Sequence, residues 1–216
     1  MNRIGPSTNF MQTSTKNKNE KRGRPRAYDP QAALLRATDA FWQNGYAGTS
    51  LDQIAAATGM NRPSLYAAFG DKQSLYLKAL AHYWELRFAE IRGALADERP
   101  LKETLMGVYE AAISLYFSGD ARPRGCFVIG TAVTEAVEDS TIRKSLAAGI
   151  LAFDADFEAR FRKGRATGEL ESDADPAALA VLATATMHTI AIRARAGLPR
   201  SELSELARKA VNVICA

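Results

Sequence analysis

The side chains whose chemistry is easiest to interpret lie within residues 49–72, in the run TSLDQIAAATGMNRPSLYAAFGDK. The Arg62 guanidinium can contact a guanine edge through two parallel hydrogen bonds, or it can bind a phosphate. The Ser64 hydroxyl can bond to a base edge or to the backbone, whereas Ala67 and Ala68 can only touch thymine methyl groups. These residue types predict a surface that contacts DNA.

The same run has the spacing of two short helices joined by a tight turn. Ser50 can cap the first helix, and Gly59 supplies the backbone freedom needed to leave it. Asn61 can cap the second helix, which has Pro63 in its first turn and ends at Gly70. This order predicts a helix-turn-helix, whose second helix lies in the major groove of DNA.

The motif also resembles that of a known family. The segment SLYAAFGDKQSL, with its Pro-Ser-Leu-Tyr run, its Phe-Gly-Asp-Lys turn and the preceding Ala-x-x-x-Gly turn, is similar to the signature of the TetR family of transcriptional repressors. The resemblance covers about residues 28–80. It implies that Tyr66 and Lys72 clamp phosphates. The residue type alone leaves Tyr66 a second possibility, which is packing in the core with its hydroxyl bonded locally.

Two further regions are expected to touch DNA. Thr49 and Ser50 lie at a helix N-terminus, where free N–H groups and the helix dipole suit a phosphate. Residues 1–27 are polar, basic and without hydrophobic periodicity, which predicts a disordered arm that orders only on DNA. The predicted DNA contacts are Arg22, Arg24, Arg26, Thr49, Ser50, Arg62, Pro63, Ser64, Tyr66 and Lys72.

The three arm arginines lie in the run Lys-Arg-Gly-Arg-Pro-Arg, which resembles an AT-hook. Glycine and proline keep such a segment thin and extended, and its arginines are attracted by the strong negative potential of narrow A·T-rich minor grooves. The alternative is a solvated basic tail that contacts nothing.

Bulk properties place the chain among intracellular globular proteins. The chain of 216 residues has a net charge of +4, so the placement of charge matters more than its sum. Two cysteines without metal-ligand spacing suit a reducing compartment. With no signal peptide and no apolar run expected to span a bilayer, we predict a cytoplasmic protein. No catalytic constellation, phosphate loop or metal set is recognisable, so neither enzyme activity nor a cofactor or metal is expected.

Hydrophobic periodicity predicts an all-α fold with a two-part organisation. The arm (1–27) precedes a helix-turn-helix DNA-binding domain (28–75), and a long helix from Lys72 joins that domain to a helical ligand-binding and dimerisation domain (76–216). Ser140 and Ser201 are expected to cap later helices. Since no flexible linker separates the parts, a tilt of one can be transmitted to the other.

The last two helices are expected to pair two copies of the chain. They carry more apolar surface than one exposed hairpin needs, and four alanines would allow close approach: Ala178, Ala183, Ala185 and Ala191. The family resemblance implies the same homodimer, which would contact two half-sites of a palindromic or near-palindromic operator. The alternative is that these helices only cover the core of one copy.

Aromatic residues are frequent in the middle helices, where they can line an apolar ligand cavity or simply fill the core. The residues predicted to contact a small apolar or aromatic ligand are Tyr109, Ile113, Cys126, Ile129, Phe153, Met187 and His188. Arg122 and Arg124 precede Cys126 and would make its thiol more reactive by lowering its pKa. A buried, inert Cys126 is the alternative.

These features predict a homodimeric DNA-binding transcriptional regulator, and in particular a repressor that an unknown small molecule releases from its operator. Two alternatives remain at this stage. One is a regulator that responds to thiol oxidation through Cys126, and the other is a DNA-binding protein without any ligand, whose second domain would be tightly filled.

Overall fold

The structure, a computed structural model, describes Met1 and residues 29–118 and 122–216. All regular elements in these ranges are α-helices, so the all-α prediction is confirmed. They are α1 (Pro30–Asn44), α2 (Leu51–Thr58), α3 (Arg62–Phe69), α4 (Lys72–Leu95), α5 (Leu101–Tyr116), α6 (Phe127–Glu135), α7 (Ser140–Ala166), α8 (Pro176–Arg195) and α9 (Arg200–Ile214).

The first three helices pack with the beginning of α4 around a small core. Phe41, Ile54, Leu65, Phe69 and Leu75 are buried there. Each of these helices begins at a residue whose side chain accepts a hydrogen bond from a backbone N–H of the first turn, which satisfies a donor that the helix itself leaves unpaired. We call this part, residues 29–71 with the first turns of α4, the head.

Helix α4 runs without interruption from the head into the second part of the chain. Its N-terminal half buries Leu75, Tyr76 and Leu80, and Ile91 and Leu95 are buried near its other end. The predicted domain boundary between residues 75 and 76 therefore lies inside a continuous helix. The head and the second part of the chain therefore share one helix.

Helices α5 to α9 form a bundle in which α8 packs against α5, α7 and α9. Two predicted caps are wrong. The carboxylate of Asp139, not Ser140, accepts from the first backbone N–H groups of α7. Pro199 precedes α9 without any side-chain cap, and Ser201 lies inside that helix. Helix α7 thus begins one residue earlier, and α9 two residues earlier, than a serine cap would require.

Among the described helices, α8 is long and apolar enough, by length and composition alone, to cross a bilayer. This corrects the expectation that the chain has no such run. The observation is weak evidence for a membrane, because helices of a protein core pass the same test. Ala183, Ile190, Ala191 and Ala194 of α8 are buried inside the bundle.

The base of the bundle contains one buried charge. Arg160 is only 4% exposed, and its guanidinium donates to both carboxylate oxygens of Glu169, at 3.2 and 3.3 Å, and to the carbonyl of Arg99. Burial by itself would raise the pKa of Glu169, but hydrogen bonds from Arg160 and from the backbone N–H of Leu101 outweigh burial and lower that pKa.

We expect Glu169→Gln to lower the free energy of unfolding by about 2 kcal/mol at neutral pH, because it leaves the buried Arg160 without a counter-charge. A carboxyl group whose pKa is lower in the folded than in the unfolded state stabilises the fold at pH values above its unfolded-state pKa. This stabilisation is lost as the pH falls. The difference between wild type and variant should therefore shrink below a pH of about 4.3. Urea unfolding at pH 7 and pH 4, at one protein concentration, measures both quantities.

The matched control is Glu205→Gln, which breaks an exposed pair with Arg208 and should change stability little. An equal loss of stability in both variants would contradict the role given to Arg160.

Candidate nucleic-acid interface

The turn between α2 and α3 has the geometry that the sequence predicted. Ser50 and Gln53 form a reciprocal capping box at the start of α2. Gly59 adopts the left-handed conformation, with φ of 68° and ψ of 18°, which a side chain would disfavour. The backbone N–H of Met60 then bonds to the carbonyl of Ala55, so the turn is closed by backbone contacts. The two helices are therefore held at a defined angle.

Helix α3 presents one side to solvent and buries the other. Arg62, Pro63, Tyr66 and Ala67 are exposed, and Leu65 and Phe69 are buried. Tyr66 is 49% exposed, so the alternative that it packs in the core is wrong, and its ring is accessible to DNA. Ser64 and Ala68 are only half-buried, because helical periodicity places both of them beside Leu65.

The Arg62 guanidinium is paired with a carboxylate on α2. Its Nε and Nη2 atoms donate to the two oxygens of Asp52, at 2.8 and 2.7 Å, and both side chains are exposed. The side-chain hydrogen bond between them lowers the pKa of Asp52 and raises that of Arg62. The pair is weakened by water, so a base edge or a phosphate can replace Asp52 as the partner of Arg62.

The prediction that Thr49 contacts a phosphate is wrong for its side chain. Thr49 is fully buried, and its hydroxyl donates to the carbonyl oxygens of Gly45 and Ala40, which ties α1 to the start of α2. Ser50, the next residue, is exposed and keeps its position at the helix N-terminus. Arg22, Arg24 and Arg26 lie outside the described residues, as does the predicted AT-hook.

Lys72 is the first residue of α4, directly after the turn that ends α3. Its ammonium lies 4.4 Å from the centre of the Tyr46 ring, a cation–π contact that holds the side chain at the edge of the head. Partial burial lowers the pKa of Lys72, while the charge of Glu135 acts in the opposite direction. The exposed side of α3 thus lies between Arg62 at one end and Lys72 at the other.

A cavity lies in the second part of the chain, between helices α4 to α8. Its volume is about 30 Å³, room for about two water molecules. Most of its wall is apolar, and α4 contributes more than a third of it. The residues lining it are Tyr83, Trp84, Arg87, Glu90, Ile91, Ala94, Val108, Ala111, Ala112, Leu115, Tyr116, Cys126, Val128, Ile129, Phe153, Met187 and His188.

Five of the seven residues predicted to contact a ligand line this cavity, and two do not. Those that do are Cys126, Ile129, Phe153, Met187 and His188. Tyr109 and Ile113 are fully buried elsewhere in the bundle, and the Tyr109 hydroxyl donates to the carbonyl of Ala183 on α8. Both lie on the side of α5 that faces α8 and α9, which the sequence pattern of α5 alone does not reveal.

The cavity residues of α4 are absent from the predicted ligand contacts. Trp84, Arg87, Ile91 and Ala94 recur at steps of three and four, so they share one side of that helix. The sequence assigns α4 to the connection between the two parts, and the seven predicted ligand contacts include none of its residues. The same spacing, considered together with the polar Arg87, was the signal that could have found them.

The environment of Cys126 contradicts a thiolate activated by arginine. Burial raises the pKa of its thiol, and the Tyr83 hydroxyl lies 3.4 Å from its sulfur. The Arg124 guanidinium points to other partners, with its centre 4.0 Å from the Trp42 ring and a 2.7 Å bond to Asp39. The predicted lowering of the Cys126 pKa is therefore wrong.

A three-helix head with an exposed second motif helix, joined through a long helix to a bundle with an internal cavity, defines a helix-turn-helix DNA-binding regulator. Residues 34–79 match the family model described as bacterial regulatory proteins of the tetR family. Residues 102–211 match the model described as the tetracyclin repressor-like C-terminal domain. The chain belongs to the TetR family and is a DNA-binding transcriptional regulator.

Individual relatives cover most of the chain. The HTH-type transcriptional repressor ComR of Escherichia coli (strain K12) is 31% identical, over 90% of this chain and 92% of its own. The repressor BdcR of the same strain is 35% identical over 53% of this chain and 58% of its own. A cysteine mutant of the TetR family regulator CifR, solved with 26-base-pair operator DNA, is 34% identical with a TM-score of 0.80, covering 88% of this chain and 98% of that one.

We expect Lys72→Gln to weaken binding to operator and random DNA alike, because a phosphate contact is lost whatever the sequence. The slope of log affinity against log salt concentration should become shallower by about 0.9, the contribution of one phosphate. Fluorescence anisotropy with both duplexes across a range of salt concentrations measures the two effects.

Lys102→Gln on α5, outside the head, is the charge-matched control and should leave the slope unchanged. An unchanged slope for Lys72→Gln would show that this ammonium does not face the DNA backbone.

Proposed function

We propose that the protein is a homodimeric repressor that leaves its operator when a small, mainly apolar molecule enters the cavity between α4 and α8. It would act in the cytoplasm, by binding DNA and not by catalysis. The observation that carries the proposal is that α4 contributes both to the cavity wall and to the head. Repression is the role that the names of ComR and BdcR give to those relatives.

The dimer is supported by apolar surface that one copy leaves uncovered. On α8, a stripe at steps of three and four residues is exposed, with Val181, Leu182 and Ile192 each more than half exposed. The exposed small residues Ala178 and Ala185 lie on the same stripe and would allow a partner helix to approach closely. Val213 of α9, 73% exposed, borders the same surface.

Helix α9 divides its apolar residues between two sides. Leu203 is buried in the bundle of one copy, and Leu206, Ala210 and Val213 lie toward the other side of the helix. The other three line the groove between α8 and α9. A second copy that packed its own α8 and α9 there would form a four-helix bundle around a two-fold axis.

We expect Leu182→Arg to produce a monomer, because it places a charge in the centre of the apolar stripe. Affinity for a two-half-site operator should fall by about 100-fold or more, since the second head no longer binds as part of the same molecule. Light scattering coupled to size-exclusion chromatography and an operator titration test both effects.

The exposed Leu86 of α4 offers the matched control, because Leu86→Arg makes the same change outside α8 and α9. A dimeric Leu182→Arg protein would place the interface elsewhere.

The size of the cavity determines how an effector can act. About 30 Å³ admits water but no organic effector, so a ligand must push the cavity walls apart to bind. One of those walls is α4, whose Lys78 ammonium donates to the carbonyl of Phe69 at the end of α3, at 3.0 Å. A displacement of α4 is therefore expected to carry the recognition helix with it.

A second connection joins the cavity to α1. The Trp42 indole N–H donates to the carbonyl of Gly125 at 3.0 Å, and Arg124 pairs with Asp39 of α1. Cys126, which follows Gly125 in the chain, is part of the cavity wall. Movement of the segment before α6 would thus displace both α1 and α4. A ligand that prefers the widened arrangement would shift the population toward heads that no longer match two half-sites.

Filling the cavity with a side chain should imitate the effector. Ala112 of α5 is half-buried in the cavity wall, and Ala112→Phe adds a ring that the closed cavity cannot hold. We expect operator affinity to fall by about 5- to 150-fold, the range of a coupling of 1–3 kcal/mol, while the protein stays dimeric. Operator titration and light scattering are the measurements.

Ala148→Phe, which adds the same ring at an exposed position of α7, should leave affinity unchanged. A folded, dimeric Ala112→Phe protein with wild-type operator affinity would contradict the proposed coupling.

A further inference from the structure

Two hydrogen-bond donors in the cavity wall have no acceptor among the described residues. They are the indole Nε1 of Trp84 and the Nε of Arg87. The residues are three positions apart on α4, so they lie next to each other on one side of the helix. Buried donors without an acceptor are rare, because each loses its bonds to water on folding. Two neighbours of this kind in one cavity point to a ligand that supplies the acceptor.

The Trp84 indole is held in place and cannot turn toward another acceptor. Its ring stacks on Phe88 at 5.4 Å between centres and meets the edge of Phe153 at 5.3 Å. Gly149 of α7 lies against the same ring, and a Cβ at this position would come within 2.2 Å of it. The position of the N–H group is therefore fixed by packing on three sides.

Both donor atoms are fully buried, so water that fits in the closed cavity does not reach them. A ligand that widens the cavity and brings an acceptor to them supplies the missing hydrogen bonds, whereas a purely hydrocarbon ligand does not. The donors thus favour a ligand with an oxygen acceptor over a hydrocarbon of the same shape.

The charges around the cavity favour an uncharged ligand. The Arg87 guanidinium is already paired with the Glu90 carboxylate, and its centre lies 5.6 Å from the Tyr83 ring. Burial lowers the pKa of His188, against the opposing effect of Asp154, and thereby favours its neutral form. A carboxylate would lose its hydration without gaining a free counter-charge, and Glu90 would repel it.

We propose that the cavity selects uncharged, mainly apolar molecules that carry one hydrogen-bond acceptor, such as a carbonyl oxygen, which Trp84 Nε1 and Arg87 Nε hold together. This inference rests on the proposed function, in which the cavity is the effector site, and adds the chemical class of the effector.

Three probes of similar size test the class: acetophenone, which carries a carbonyl, ethylbenzene, which replaces it by a methylene, and benzoate, which is charged. Calorimetry on the full-length dimer gives their affinities. The chain has two tryptophans, so its ¹⁵N spectrum contains two indole signals. Trp84→Phe removes one of these signals and thereby assigns both.

We expect acetophenone to bind about fivefold to 150-fold more tightly than ethylbenzene, the effect of two hydrogen bonds, and benzoate to bind most weakly. The Trp84 indole proton should move downfield with acetophenone alone. Arg87→Lys keeps the charge beside Glu90 but removes Nε, and it should reduce the preference for acetophenone. Arg92→Lys, which makes the same change outside the cavity, should not.

Any of four results would overturn the assigned class. They are equal affinity for acetophenone and ethylbenzene, tightest binding of benzoate, binding of none of the three, and a preference for acetophenone that survives both Trp84→Phe and Arg87→Lys. Such results leave the effector site itself standing if Ala112→Phe releases the operator. Failure of that variant would instead remove the proposed function.

Discussion

The structure depends on α4 being one uninterrupted helix that belongs to two cores. Its 24 residues span about 36 Å. At one end it buries Leu75 against the head, and further along Trp84 and Ile91 form part of the cavity wall. A packed helix cannot bend gradually to absorb a displacement at one end, because protein interiors are close-packed and resist compression. In the proposed mechanism, a change in the cavity therefore reaches the head through α4.

The contacts around α6 make the same connection from a second direction. The Tyr76 hydroxyl of α4 and the Thr131 hydroxyl of α6 are 2.7 Å apart and buried. The aromatic rings of Trp42, Tyr76, Tyr83 and Phe127 meet edge to face or tilted around this point, in contacts between 5.3 and 5.9 Å. Such ring contacts have defined geometry, so they hold α1, α4 and α6 in one arrangement. The head is thus fixed to the bundle through α1 as well as through α4.

Local chemistry made the helix-turn-helix predictable from sequence. Ser50, Gly59, Asn61 and Gly70 each have a role that depends only on their immediate neighbours, and all four occur where the pattern placed them. Thr49 shows the limit of such reasoning. Its position before a helix suggested a phosphate contact, but its hydroxyl donates to backbone carbonyls at the C-terminal end of α1. The local sequence pattern does not show which other helix covers a residue.

The cavity was harder to predict, because its walls come from five helices that are distant in sequence. The apolar pattern of α5 shows that Tyr109 and Ala112 are both candidates for burial, but not that one faces α8 and the other the cavity. The reactivity expected of Cys126 failed for a related reason. Arg124 is close in sequence, yet Trp42 and Asp39 from the head hold its side chain elsewhere.

In the proposed mechanism, the small volume of the cavity makes even a weakly bound effector efficient. A ligand that bound the closed and the widened arrangement equally well would shift nothing, however tightly it bound. Because about 30 Å³ leaves little room for an effector in the closed arrangement, most of an effector's binding free energy would distinguish the two arrangements. Part of that free energy would separate α4 from its neighbours, and the remainder would oppose DNA binding. The two donors that lack an acceptor among the described residues fit this mechanism, since a ligand in the widened arrangement would supply the acceptor.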